Sequence, residues 1–98
     1  MKLIDLEPRW LTPDVFIFRS PSGAGDWLTC KRAPLPHQHR FFYEKCPELK
    51  GQAIVGTVAD FCWNFEAGGS FDTLTVTPSI DASASGNWHG LITNGEIK

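Results

Sequence analysis

The sequence is short of positive charge, of thiols and of uninterrupted apolar runs, and each shortage removes a class of function. Nine Lys and Arg stand against eleven Asp and Glu, a formal net charge of -2, and the densest basic pair is Lys31-Arg32. Phosphate contacts supply most non-specific nucleic-acid affinity, so the chain is a poor general binder of DNA or RNA. The three cysteines, Cys30, Cys46 and Cys62, are an odd number and share no CxxC spacing. That excludes a disulfide framework but not a single disulfide. Reduced thiols acting as small buried hydrophobes in a cytoplasmic protein are the simpler reading. No apolar run approaches the roughly 18 residues of a transmembrane helix. The opening MKLIDLEPRW carries acids where a signal peptide would carry its apolar stretch. The expectation is a soluble protein of the cytoplasm (the host cytoplasm if a phage encodes it), with no membrane partner.

What is present is aromatic. Four Trp and seven Phe fall within 98 residues, against 42% hydrophobic and 20% charged residues in all. A chain this size buries roughly two-thirds of its unfolded surface, so residues 1–98 are expected to form one domain around one core. Large rings can fill such a core without disulfides or metal.

Gly and Pro punctuate the chain often and the segments between are short, which favours strands. Lys2–Leu6 alternates weakly and reads as a strand, and Pro8 and Pro13 enclose a bend around Trp10. VFIFR (Val15–Arg19) and WLTCK (Trp27–Lys31) read as a hairpin about an oversized turn, Ser20–Asp26. Residues 34–47 are the one helix candidate, with Pro36 in its first turn and Pro47 at its end. Ile54–Val58 and Phe61–Phe65 follow as strands, the second with Phe61, Trp63 and Phe65 on one face. Thr73–Thr77 alternates and is expected to stop at Pro78. After the polar loop Asp81–Gly86, Trp88–Thr93 reads as a strand and Asn94-Gly95 as a hairpin turn. The expected class is mainly β, a β-rich α+β domain. Its form is a small antiparallel sheet, or a partly open barrel of SH3-like or Sm-like kind, with one short helix. If its edges stay open, oligomerising through them is the alternative to closure.

From Trp63 onward the pieces Thr73-Leu74-Thr75-Val76-Thr77-Pro78-Ser79-Ile80 and Trp88-His89-Gly90-Leu91-Ile92-Thr93-Asn94-Gly95-Glu96 stand in order. In that order the chain resembles the phage and bacterial domain-of-unknown-function family 6527. The resemblance covers roughly the last 40 residues well and the first 30 loosely. Many relatives carry a Cys-Pro-Cys-Gly-Cys-Gly turn between two early strands, and a further Cys two residues before the late His. Such a set looks like zinc ligands. Here the turn reads Ser20-Pro21-Ser22-Gly23-Ala24-Gly25, and Asn87 stands before Trp88-His89. Ser hydroxyls and an Asn amide do not replace thiolates in a tetrahedral zinc site. The resemblance therefore implies a former zinc site, with no metal and no cofactor expected in this chain. Some relatives bear the label ammonia monooxygenase, which a chain without a copper-ligand cluster does not support.

Candidate chemistry gathers at His89. With Ser20 or Ser22 as nucleophile and Asp81 as orienter it would make a small hydrolase, provided the three meet in space. A histidine that pins loop to turn is the plainer reading. No GxSxG elbow is present. His37 and His39, at i and i+2, diverge by about 200° on a helix and cannot chelate together there. Asp60, Glu66 and Asp72 read as surface charge, and SGAG and AGGS as turns without a P-loop's Lys. The candidate binding residues are Trp27, Trp88, His89, Asn87, Ser20 and Ser22. Trp10, Trp27, Trp63 and Trp88 are read mostly as core, and any exposed together would anchor a protein partner. With no recognisable catalytic set, the leading expectation is a phage- or prophage-type accessory protein. It would bind a protein partner or its own copies as a homo-oligomer. The alternatives are the His89 hydrolase and a weak binder of single-stranded nucleic acid.

Overall fold

The computed structural model describes residues 1–22, 26–33, 43–52, 54–55, 62–81 and 88–98. Seven strands are present among them: β1 (Arg9–Thr12), β2 (Val15–Arg19), β3 (Trp27–Lys31), β4 (Ile54–Val55), β5 (Val76–Asp81), β6 (His89–Thr93) and β7 (Glu96–Ile97). They form two sheets, one ordered β1-β2-β3-β4 and one ordered β5-β6-β7. All neighbours are antiparallel except β4, which runs parallel to β3. The mainly β expectation holds, and among the described residues the ladders do not join into a closed barrel.

Side-chain alternation explains the layers. Along β2 every residue from Val15 to Phe18 is buried, because the first sheet is covered on both faces. Phe16 and Phe18 face one way, with Leu28 and Cys30 of β3, and meet Val76, Ile80 and Ile92 of the second sheet. Leu3, Leu6, Trp63, Phe65 and Leu74 complete that cluster, and Trp10, Phe71, Trp88 and Ile97 pack at its rim. Val15, Ile17 and Trp27 face the other way, under Cys46 and Leu49, with Leu11 and Tyr43 beside them. The second sheet is buried on one face only, as β6 shows: Ile92 is buried while His89, Leu91 and Thr93 are exposed.

Several segments differ from the sequence expectation. Leu3–Leu6 is a 3-10 turn, not a strand. Three-residue spacing puts both Leu3 and Leu6 into the core, and the Asp5 carboxylate accepts the Lys2 backbone N–H at 3.1 Å. Trp10 lies in a strand bounded by Pro8 and Pro13 rather than in a bend. Phe61–Phe65 does not form a strand among its described residues. The Trp63 N–H donates to Lys31 in the first sheet, and Asn64 then bridges Thr77 in the second. The segment crosses between sheets, so no single ladder can follow it. Its alternation survives all the same, with Trp63 and Phe65 buried and Asn64 exposed.

Pro78 does not stop β5. The strand runs from Val76 to Asp81 through a cis Thr77–Pro78 bond, with a register shift between Val76 and Ile80. Within such an irregularity a ladder donor is not required, so proline is tolerated. Of the helix expected over 34–47, residues 43–45 are helical and Pro47–Leu49 is a 3-10 turn; 34–42 lies outside the described residues. Residues 56–58 of the next expected strand lie outside them too, and only Ile54–Val55 is paired.

Candidate functional site

The two segments singled out by sequence approach each other at one end of the core. Trp88 turns inward and meets Phe18 edge-on, with centroids 6.3 Å apart, and Phe18 is two residues from Ser20. The turn after Phe18 is closed at its base by the Ser20 N–H donating to the Asp26 carbonyl at 2.8 Å. Ser20 is buried and Ser22 exposed; their hydroxyls hydrogen-bond each other at 2.7 Å. Gly90 shares the inward face with Trp88, and the indole occupies the space a side chain would take. A β-carbon on Gly90 would lie 2.4 Å from Trp88 Cζ2. The Trp-His-Gly order is thereby explained as packing, with glycine beneath the ring. Gly90→Ala is expected to cost about 1–3 kcal/mol through overpacking, read as a lower melting temperature. An unchanged melting temperature would refute that account.

His89 lies on the opposite face. It is exposed, as are Leu91 and Thr93 along the strand, and its cross-strand partner is Asp81. Side chains so paired have β-carbons about 4.5–5.5 Å apart, so the fold does bring Asp81 and His89 together. It does not bring Ser20 with them. Ser20 continues the inward side of Phe16 and Phe18, whereas His89 faces out from the second sheet. Asn87 lies outside the described residues, as do His37, His39 and Asp60; Glu66 and Asp72 are exposed.

The zinc set that the resemblance implies for relatives does not fit this chain. Ser20 and Ser22 have hydroxyls in place of thiolates, and those hydroxyls are engaged with each other. Among the described residues no group of three or more His, Cys, Asp or Glu is arranged to hold a metal. Cys30 is fully buried, and burial pushes its thiol well above the ordinary range, which makes it a poor nucleophile and a poor ligand. The expected outcome is a preparation without stoichiometric zinc and a melting temperature indifferent to chelator. One zinc per chain by elemental analysis would overturn this.

Trp27 is buried rather than available to a partner. The guanidinium carbons of Arg19 and Arg9 lie 4.5 and 5.4 Å from its ring centroid, and its indole N–H donates to Gln52 Oε1 at 2.8 Å. Both arginines are also held by carboxylates, Arg9 by Glu48 and Arg19 by Glu7. On the same face of β3, Thr29 is buried and its hydroxyl has no hydrogen-bond partner. An orphaned buried hydroxyl costs about 1–3 kcal/mol. Thr29→Val keeps the shape and removes the hydroxyl, so it should stabilise by about 1 kcal/mol, or roughly 4–8 °C in a domain of this size. A fall in melting temperature would show that the hydroxyl has a role.

Exposed apolar surface is the feature that sequence reasoning did not single out. Among the described residues the large hydrophobic side chains in solvent are Met1, Ile4 and Leu91, at 68%, 45% and 43% exposure. Leu91 is on β6. Met1 and Ile4 belong to the N-terminal segment that extends the same sheet, with Lys2 bridging Glu96 of β7. The signal was present in WHGLIT, since only one of the adjacent Leu91 and Ile92 can face the core. A polar cavity of about 270 Å³, lined by Lys2, Ile4, Asp72, Asn94, Gly95 and Glu96, adjoins the β6–β7 turn.

No family profile matches the chain, and no curated protein or solved structure is found similar to it. The family resemblance therefore rests on the residues quoted for it alone.

Proposed function

We propose that this chain is a non-enzymatic binding or assembly module, a phage- or prophage-type accessory protein that acts through protein–protein contact. The observation that carries the reading is the placement of Met1, Ile4 and Leu91. The three large apolar side chains left in solvent among the described residues all belong to the second sheet or its N-terminal extension. Antiparallel sheets do leave one face to solvent. Even so, Leu91 at the middle of the exposed face of β6 makes that face the natural contact surface. Arg9, Arg19 and Arg32 are each paired with a carboxylate, which weighs against a nucleic-acid role. The test is affinity capture from host extract with the wild type and with Leu91→Asp. A partner retained by the first and lost by the second supports the reading. An identical set of captured proteins from both counts against it.

A hydrolase using His89 is the second reading, favoured by the cross-strand placement of Asp81 opposite His89. Against it, Ser20 is turned inward and the Ser22 hydroxyl is hydrogen-bonded to that of Ser20. Broad ester and amide substrate screening with His89→Ala as control decides it. Turnover lost with His89→Ala would revive the enzyme, and turnover untouched by that change removes it.

A further inference from the structure

The polar cavity beside the β6–β7 turn is lined by charges that are unmatched within the chain. Lys2 and Glu96 are cross-strand partners of opposite sign, a pairing that sets β-carbons about 4.5–5.5 Å apart. Yet neither joins an ion pair among the described residues, and nor does Asp72. All three line the cavity, with Asn94, Gly95 and Ile4. The Asp72 carboxylate accepts a long bond, 3.5 Å from Ser70 Oγ. Asn94 uses its backbone N–H, on Thr75 Oγ1, and its side-chain amide makes no hydrogen bond among the described residues. Ile4 supplies an apolar wall. The turn beneath is held by backbone bonds from Gly95 to Leu74 and from Leu3 to Gly95, each 2.8 Å, so this wall is in place before any ligand arrives.

One cation among two carboxylates excludes the simplest ligands. A plain anion meets Asp72 and Glu96, and a plain diamine leaves Lys2 without a counter-charge. A ligand that matches every group carries two cations, one carboxylate and an apolar stem. We propose that this cavity binds a free basic amino acid, arginine or lysine. Its α-carboxylate pairs with Lys2 and its α-ammonium with Glu96, since two opposite charges on one carbon suit two opposite charges on one cross-strand pair. The side-chain cation reaches Asp72, the methylene stem lies on Ile4, and the Asn94 amide bonds what is left. The volume of about 270 Å³ falls just under the roughly 300–1,000 Å³ of pockets for drug-sized ligands, which suits a smaller solute. Exposed charges contribute little each, so a dissociation constant of about 1 mM is expected, and salt weakens it further.

Proton–nitrogen correlation spectra of the full chain, titrated with L-arginine at low salt to about 20 mM, well above that constant, test this. The amide resonances of Asn94, Gly95 and Glu96 should move and saturate, and L-glutamate should move them far less. Asp72→Asn and Glu96→Gln should each weaken arginine about 2–5-fold, the scale of one exposed ion pair. L-argininamide keeps both cations but has an uncharged amide for the carboxylate. The wild type should bind it less tightly than arginine, and Lys2→Gln should remove that preference. Each variant's circular dichroism and unligated spectrum confirm the fold. No saturable change with arginine overturns the proposal, as does an equal response to glutamate, or a preference over argininamide that survives Lys2→Gln. The proposal does not rest on the protein contact above: capture that depends on Leu91 is a separate readout, so either can fail without the other.

Discussion

Phe16→Ala should destabilise the protein by about 3–5 kcal/mol, the range for truncating a buried aromatic. Phe16 is fully buried at the centre of the ring cluster. It meets Trp10 and Phe65 edge-on at 5.3 and 5.2 Å, and Phe71 and Phe18 at 5.6 and 5.9 Å. These rings come from β1, β2 and the loop that leads to β5, so one truncation loosens the contact between the sheets. Small domains hold about 5–15 kcal/mol in total, and the alanine variant stands near the edge of folding. Phe16→Leu keeps much of the volume and should cost less, about 1–2 kcal/mol. Urea denaturation of both variants checks the order. A cost under about 1 kcal/mol for alanine would mean that the ring cluster is not the core.

Gly95→Ala is expected to lose about 3 kcal/mol, through two separable faults. Gly95 has φ of 77° in the β6–β7 turn, where Asn94 is also left-handed at 50°, the backbone of a tight Asn-Gly hairpin. A β-carbon in that conformation costs about 1–2 kcal/mol. It would also stand 2.1 Å from the Asp72 carbonyl oxygen, and backbone cannot rotate away as a side chain can. The turn is tied on both sides, with Gly95 N–H donating to Leu74 and Leu3 N–H donating to Gly95, each at 2.8 Å. Gly95→Asn separates the faults, since Asn tolerates the left-handed backbone but brings the same β-carbon. If Asn costs nearly as much as Ala in thermal melts, close approach is the cause. If Asn is almost neutral, the backbone conformation is, and the contact with Asp72 relaxes.

The late motif was legible because its signals are local. Asn94-Gly95 specifies its turn by backbone preference alone, and VFIFR and WLTCK specify strands by composition. FCWNF misled because alternation reports which face is buried, not whether a neighbouring strand is there to pair with. Pro78 misled for a related reason: proline forbids a ladder donor only where the ladder needs one, and the register shift in β5 removes the need. Lys2–Leu6 carried apolar residues three apart, a spacing too short to tell a 3-10 turn from a poor strand. At the site, sequence brought forward Ser20, Ser22, Asp81 and His89 as one group. The fold keeps Asp81 beside His89 on the outer face of the second sheet and turns Ser20 inward, in line with Phe16 and Phe18 of the first, since side chains two apart along a strand share a face.

By itself the sequence determined a mainly β domain, the hairpin turn at Asn94-Gly95, the strands VFIFR and WLTCK, and the absence of thiols from the turn at Ser20–Gly25. These depend on residue type and on neighbours a few positions away. Tertiary structure alone decided that there are two sheets, that Trp27 is sealed beneath two arginines, and that Trp88 fills the space above Gly90. It also decided that Leu91 rather than Ile92 is left in solvent. Each of those outcomes is a contact between residues far apart in the chain, where many partners compete for the same burial. Only the assembled core selects among them.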